Sequence, residues 1–90
     1  MDKESIKHAI MRRACSEGYS FWTIGLTHDP AGRKQEHRSR GESVVRWAQW
    51  AADSLSDAQE IETYFVRRRG MTGGHAGDLN PYLDVYVYIY

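Results

Sequence analysis

Two stretches of the chain carry apolar residues at helical spacing. In the first, an apolar residue recurs every three or four positions: Ile6, Ala9, Ile10 and Ala14. This period, with charged residues in between, predicts an amphipathic helix over 3–16. Asp2 can accept hydrogen bonds from the free N–H groups at the helix start, and Gly18 is suited to the helix end.

The second amphipathic stretch predicts a helix over 56–69. Ser56 and Gln59 have the spacing of a capping box, in which each side chain satisfies a free backbone N–H group at the helix start. Three arginines, 67–69, stand in the last turn, where the helix dipole favours positive charge, and Gly70 follows them.

Aromatic and β-branched residues predict three strands, over 19–26, 44–51 and 84–90. The middle segment also fits a helix, because its valines and alanines recur at helical spacing. The last segment alternates between aliphatic residues and tyrosines: Val85, Tyr86, Val87, Tyr88, Ile89 and Tyr90. Since side chains of a strand alternate between its faces, this strand has an aliphatic face and a tyrosine face, which is either covered by a helix or lines a site.

A short polar helix is predicted over 30–38, directly after the first strand. Asp29 caps this helix, and Pro30 has a φ angle suited to its first position. Arg33 and His37 are four residues apart and therefore share one face of the helix, beside the end of the strand. Together the elements predict an α/β fold of the α+β type, in which a mainly antiparallel sheet of three strands is flanked by three helices in one domain.

Composition limits the functions that are open to the chain. Its 90 residues have a formal net charge of zero and a pI near 6.9, so a nucleic-acid site has to be a local patch rather than a global positive field. Cys15 is the single cysteine, which excludes an intrachain disulfide. With no leader and no apolar run of about 20 residues, we expect a cytoplasmic protein that does not contact a membrane.

Three other patterns favour an interpretation other than a ligand site. The histidines have spacings that fit no zinc site: His8, His28, His37 and His75. The glycine-rich segment 73–77 lacks the Lys-Ser/Thr ending of a phosphate-binding loop. Trp47 and Trp50 are able to stack on nucleic-acid bases, but in so short a chain we favour core packing.

Five motifs together resemble the GIY-YIG nuclease family: Thr23-Ile24-Gly25, Arg33, His37, Glu62 and Asn80. Thr23 stands where the family has a tyrosine, and the Gly-Ile-Tyr strand that precedes this motif in the family is missing upstream. We therefore predict that the tyrosine-rich strand over 84–90 takes its place, as in a circular permutation, and pairs with 20–26.

The resemblance implies hydrolysis of DNA phosphodiester bonds with one Mg²⁺ or Mn²⁺ ion. In this interpretation Glu62 binds the metal ion and Arg33 binds the phosphate. His37 is the general base, with Tyr86 or Tyr88 as its partner or substitute. Contacts with the substrate are expected from four more residues: Thr23, Gly25, Lys34 and Asn80.

Three alternatives stay open from the sequence. Glu62 could be an exposed helix carboxylate that pairs with Arg33 or Lys34. The domain could keep the nuclease scaffold without catalysis and bind nucleic acid or a protein partner. It could also form a homodimer through the tyrosine face of an exposed last strand.

Overall fold

The computed structural model describes residues 1–74 and 78–90 of the chain. Within them it contains three α-helices and four β-strands: α1 (Lys3–Ala14), β1 (Thr23–Thr27), α2 (Pro30–Ser39), β2 (Ala48–Ala51), α3 (Leu55–Arg67), β3 (Thr72–Gly73) and β4 (Tyr86–Ile89). This is the α+β class that the sequence predicts. None of the helices in these ranges is long and apolar enough to cross a membrane.

The strands form one mixed sheet in the order β2-β4-β1-β3. β4 is antiparallel to both of its neighbours, with Tyr88 opposite Gly25 of β1 and opposite Gln49 of β2. The predicted pairing of the C-terminal strand with the first strand is therefore confirmed. Because β4 is hydrogen-bonded on both sides, the prediction of an exposed tyrosine-rich edge is wrong.

The sheet contains a fourth strand that the sequence does not predict. β3 is two residues long, lies in a segment for which no strand is predicted, and runs parallel to β1. The Thr72 N–H donates to the Trp22 carbonyl oxygen at 3.1 Å. A mixed sheet of four strands thus replaces the expected antiparallel sheet of three, because two residues are too few to show a hydrophobic alternation.

The first predicted strand, 19–26, begins later than expected. Residues Tyr19–Phe21 form a 3₁₀ helix, and β1 begins at Thr23. Gly18 has a φ of 88°, a conformation that costs glycine little, so the chain leaves α1 in a tight turn. α1 itself ends at Ala14, before the predicted end of the helix over 3–16.

α3 begins and ends earlier than the capping signals predict. Its N-cap is Ser54 and not Ser56, since the Ser54 hydroxyl oxygen accepts the Asp57 N–H at 3.0 Å. Both serines precede a polar residue at capping distance, but Ser54 has the extended backbone that a cap requires, with φ −155°. The helix ends at Arg67, and Arg69 lies beyond its end.

The segment 44–51 is a strand only over β2. Before β2 the Trp47 N–H donates to the Val44 carbonyl oxygen at 3.1 Å, which forms a turn. The turn places the indole of Trp47 on the ring of Tyr88, with ring centres 4.5 Å apart. Trp50 packs against the hydrophobic core, as expected, whereas Trp47 belongs to a cluster of rings on the tyrosine face.

The sheet separates a hydrophobic core from a polar surface. The aliphatic face of β1 and β4 packs on α3, and α1 packs against α3. The largest fully buried side chains belong to this core: Phe65, Ile6, Ile10, Ile24, Ile61, Ile89 and Val87. Each contributes about 1.5–3 kcal/mol through burial. The tyrosines and α2 lie on the opposite face.

Candidate active site

The tyrosine face of the sheet forms one wall of a cleft with a volume of about 390 Å³. Strands β1, β3 and β4 contribute to its lining, together with residues of α2, α3 and the loop after α2. Six residues that the sequence predicts for the site line this cleft: Thr23, Gly25, Arg33, His37, Glu62 and Tyr88.

Gly25 leaves room in the cleft for the Tyr88 side chain. A Cβ atom at Gly25 would lie 2.3 Å from the Tyr88 hydroxyl oxygen, so any larger residue would displace the tyrosine. Trp47 stacks on the ring of Tyr88 and limits its movement. Burial raises the pKa of Tyr88, which keeps its hydroxyl protonated at neutral pH.

His37 connects Tyr88 to an acidic residue. The imidazole is buried, with Nε2 3.1 Å from the Tyr88 hydroxyl oxygen and Nδ1 3.0 Å from Oε2 of Glu42. When Nδ1 carries the proton, it donates to Glu42, and Nε2 accepts from the Tyr88 hydroxyl. The three side chains then form a hydroxyl, imidazole and carboxylate series, an arrangement that orients a histidine as a base.

Tyr90 and Arg40 hold Glu42 in this position. The Tyr90 hydroxyl donates to Oε1 at 2.6 Å, and Nε of Arg40 donates to Oε2 at 3.0 Å. Hydrogen bonds from Tyr90 and His37 lower the pKa of Glu42 from 4.5 to about 2. Burial, followed by the bond to Glu42, raises the pKa of Tyr90. Two donors also lie near Nδ1 of His37: Nη2 of Arg40 at 2.7 Å and the Tyr90 hydroxyl at 2.9 Å. In the tautomer that carries the proton on Nε2, Nδ1 can therefore accept a hydrogen bond from either of them.

The lowered pKa of Glu42 predicts a dependence of stability on pH. This pKa is lower in the folded than in the unfolded chain. The Glu42 carboxylate therefore contributes fully to stability above about pH 4.5, and this contribution is lost as the pH falls toward about 2. We expect the Tm of the wild type to fall more steeply over this interval than that of Glu42→Gln, which has no carboxyl group to titrate. Thermal unfolding followed by circular dichroism measures both slopes. Equal slopes would contradict the assigned hydrogen bonds.

Arg33 and Glu62 bring opposite charges to the cleft. Arg33 lies one turn before His37 on α2, and its Nε is 3.7 Å from the exposed carboxylate of Glu36. Glu62 is 8% exposed, so the alternative of an exposed helix carboxylate is wrong. The reason is the helical period, since Glu62 lies about one turn before Phe65 on the inner side of α3.

One buried carboxylate of the cleft, that of Glu62, is of the kind that a hydrated Mg²⁺ or Mn²⁺ ion binds. Within residues 1–74 and 78–90, no three His, Cys, Asp or Glu side chains are grouped to hold a metal ion. Mg²⁺ does not require such a cage, because it keeps several waters and binds one or two carboxylates together with phosphate oxygens. Glu62 provides one carboxylate of this kind in the cleft.

Comparison of the chain with family models, with curated proteins and with solved structures finds no match. The motifs of the sequence and the geometry of the cleft are therefore the grounds for assigning a function. Both point to the same part of the molecule, where β1 and β4 meet α2.

Three residues expected at the site lie outside the lining of the cleft: Tyr86, Lys34 and Asn80. Tyr86 is paired with Thr27 and Ala51 at the far end of β4. Asn80 is exposed, and its backbone N–H donates to Nε2 of His28 at 2.8 Å. The visible role of Asn80 is to anchor the chain before β4.

Three residues of the site are not indicated by the sequence motifs: Arg40, Glu42 and Tyr90. Tyr90 has a signal in the alternation of the last strand, which places it on the same face as Tyr88. Arg40 and Glu42 lie in the loop after α2, where no periodic pattern marks them. His75 lies outside the described residues, as does most of the glycine-rich segment 73–77.

Proposed function

We propose that the chain is a GIY-YIG-like nuclease domain that hydrolyses phosphodiester bonds of DNA with Mg²⁺ or Mn²⁺. One observation carries the proposal: the series from Tyr88 through His37 to Glu42 reaches the same cleft as Arg33 and Glu62. Hydrolysis of a phosphodiester requires a group that takes a proton from water and positive charge beside the phosphate. The cleft contains groups suited to both tasks.

Arg33 supplies positive charge for the phosphate. Its side chain is 38% exposed at the cleft, so a phosphate can reach it. The planar guanidinium donates two parallel hydrogen bonds to phosphate oxygens and stabilises the charge that grows on them. Arg40 also lines the cleft and adds a second, more exposed cation.

Tyr88 and His37 move the proton of the attacking water. The Tyr88 hydroxyl oxygen accepts that proton while its own proton passes to Nε2 of His37. A P–O bond forms to the water oxygen, the P–O bond to the leaving group breaks, and the leaving alkoxide takes a proton from solvent. The Glu42 carboxylate stabilises the resulting imidazolium, because its low pKa keeps it ionised.

The position of Tyr88 compensates for the absence of a tyrosine at position 23. The resemblance implies that a tyrosine at this point of β1 positions or activates the attacking water. Here the backbone of Thr23 pairs with Tyr90, and Gly25 pairs with Tyr88, so β4 brings phenol hydroxyls beside β1. We infer that the strand partner supplies the group that β1 lacks.

Glu62 would hold the metal ion through its carboxylate. A bound Mg²⁺ neutralises phosphate charge and orients the phosphate. Without a cation, the Glu62 carboxylate repels a phosphate in the same cleft, and this repulsion makes cleavage dependent on the metal.

A cleavage assay with single-stranded, duplex, nicked and branched DNA tests the proposed function. We expect the wild type to cut at least one of these forms with Mg²⁺ or Mn²⁺ and to lose this activity in EDTA. Glu62→Gln is expected to raise the Mg²⁺ concentration for half-maximal cleavage by about tenfold or more, because a charged ligand is lost.

Glu17→Gln is the matched control for this assay. It makes the same chemical change at a surface carboxylate that pairs with Arg46 outside the cleft, so its metal dependence is expected to equal that of the wild type. Absence of cleavage by the folded wild type on every DNA would overturn the proposed activity. An unchanged metal dependence in Glu62→Gln would overturn the role of Glu62.

A further inference from the structure

A second surface carries a concentration of positive charge. A groove with a volume of about 980 Å³ runs along α3, next to Lys7 of α1, which contacts Tyr64 of α3. Its charged and aromatic lining includes Lys7, Tyr64 and the three arginines 67–69, and we call it the basic groove. It shares no lining residue with the cleft.

Most of the positive charge in the basic groove is not neutralised by the protein. The arginines 67–69 are exposed, and no carboxylate of the described residues lies within 4.0 Å of them. Lys7 lies 4.0 Å from Glu4, and the acidic residue of the groove, Glu60, is bound by Lys3 at 2.6 Å. In a chain with no net charge, this is a local positive surface.

Tyr64 keeps two of these cations in the basic groove. Nζ of Lys7 lies 4.1 Å from the centre of the Tyr64 ring. Nε of Arg69 donates to the Tyr64 hydroxyl at 3.0 Å, and its guanidinium carbon lies 5.5 Å from the ring centre. Two like charges near one ring repel each other, and a nearby anion reduces this repulsion.

We propose that the basic groove binds the phosphate backbone of DNA. Its cations are spread over α1 and the end of α3, which fits a ligand with successive negative charges. Three uncharged residues of the groove add donors of the kind that bind phosphate oxygens: Ser56, Gln59 and Thr63. Among the described residues, none of the large exposed hydrophobic side chains lines the groove, so it lacks the apolar face that inserts into a membrane.

One end of the basic groove is close to the cleft along the chain. Thr72 lines the cleft and follows Arg69 by three residues, so their Cα atoms are at most about 11 Å apart. The inference rests on the proposed function for the choice of DNA, but binding is measured separately from cleavage.

Two adjacent arginine pairs provide the test. Arg67→Gln/Arg68→Gln removes two charges from the groove, and Arg12→Gln/Arg13→Gln removes two charges from the last turn of α1. Each pair lies at a helix C-terminus, so a loss of favourable interaction with the helix dipole affects both variants alike. Fluorescence anisotropy with a labelled duplex, in EDTA over a range of salt concentrations, measures the affinity.

We expect the groove variant to bind at least about tenfold more weakly at low salt and to reduce the slope of log K against log salt concentration by about 2. The control variant should keep the wild-type slope. Equal slopes for both variants, or tighter binding of the wild type to phosphatidylserine vesicles than to duplex DNA, would overturn the inference. Salt-dependent binding without any cleavage would support DNA binding by the basic groove and contradict the proposed nuclease activity.

Discussion

Replacing Tyr88 with phenylalanine is expected to slow DNA cleavage by about 10²- to 10⁴-fold, the range for loss of a group that transfers a proton. The change removes the hydroxyl that lies 3.1 Å from Nε2 of His37 and keeps the ring that stacks on Trp47. Folding should therefore be little affected. Single-turnover cleavage at saturating Mg²⁺ measures the chemical step, and anisotropy in EDTA measures DNA affinity, which we expect to equal that of the wild type.

Tyr86→Phe is the matched control for Tyr88→Phe. Tyr86 lies on the same strand and the same face, but at the end away from His37 and outside the lining of the cleft. Its cleavage rate should stay within about twofold of the wild type, because no proton passes through it. A wild-type rate in Tyr88→Phe would contradict the proton path, and an equal loss in both variants would indicate a general effect on the strand.

Replacing Phe65 with alanine is expected to lower the free energy of unfolding by about 3–5 kcal/mol. The Phe65 side chain is fully buried in α3, between the sheet and α1, and its ring lies near those of Tyr19 and Tyr64. Native domains have about 5–15 kcal/mol of stability in total, so this loss removes a large share of it. Urea unfolding followed by tryptophan fluorescence measures the change.

Phe21→Ala removes the same side chain from the surface and controls for Phe65→Ala. Phe21 is 72% exposed, and its loss is expected to change the free energy of unfolding by about 0.5 kcal/mol or less. A small effect of Phe65→Ala would show that α3 does not pack as described. The stability of α3 variants also bears on the site, because α3 carries Glu62. A loss of activity in any α3 variant has to be distinguished from unfolding.

Local patterns in the sequence account for most of the secondary structure. α2 agrees with its prediction to within one residue, because Asp29 and Pro30 define its start by their own chemistry. The 3₁₀ helix over Tyr19–Phe21 escapes prediction because aromatic residues are also common in strands. The cap at Ser54 is not distinguishable from one at Ser56, since both serines have a polar residue at the required distance.

In the candidate site, too, some contacts follow from local spacing in the sequence and others depend on the tertiary structure. Arg33 and His37 share a face of α2 because of their spacing, and no tertiary information is needed for this. Glu42 reaches His37 only because the loop after α2 turns back on the helix, and Tyr90 reaches it across 53 positions of the chain. No local pattern of residues encodes contacts of this kind.

The sequence by itself determined the helical segments, the alternation of tyrosines along the last strand and the placement of Arg33 with His37, because these depend on local periods of 3.6 and 2 residues. The tertiary structure alone decided that Tyr88 meets His37, that Glu62 is buried and that β4 lies inside the sheet. The physical reason is strand register, which joins residues distant in the chain. A shift of β4 by one residue would turn Tyr88 from the cleft into the hydrophobic core.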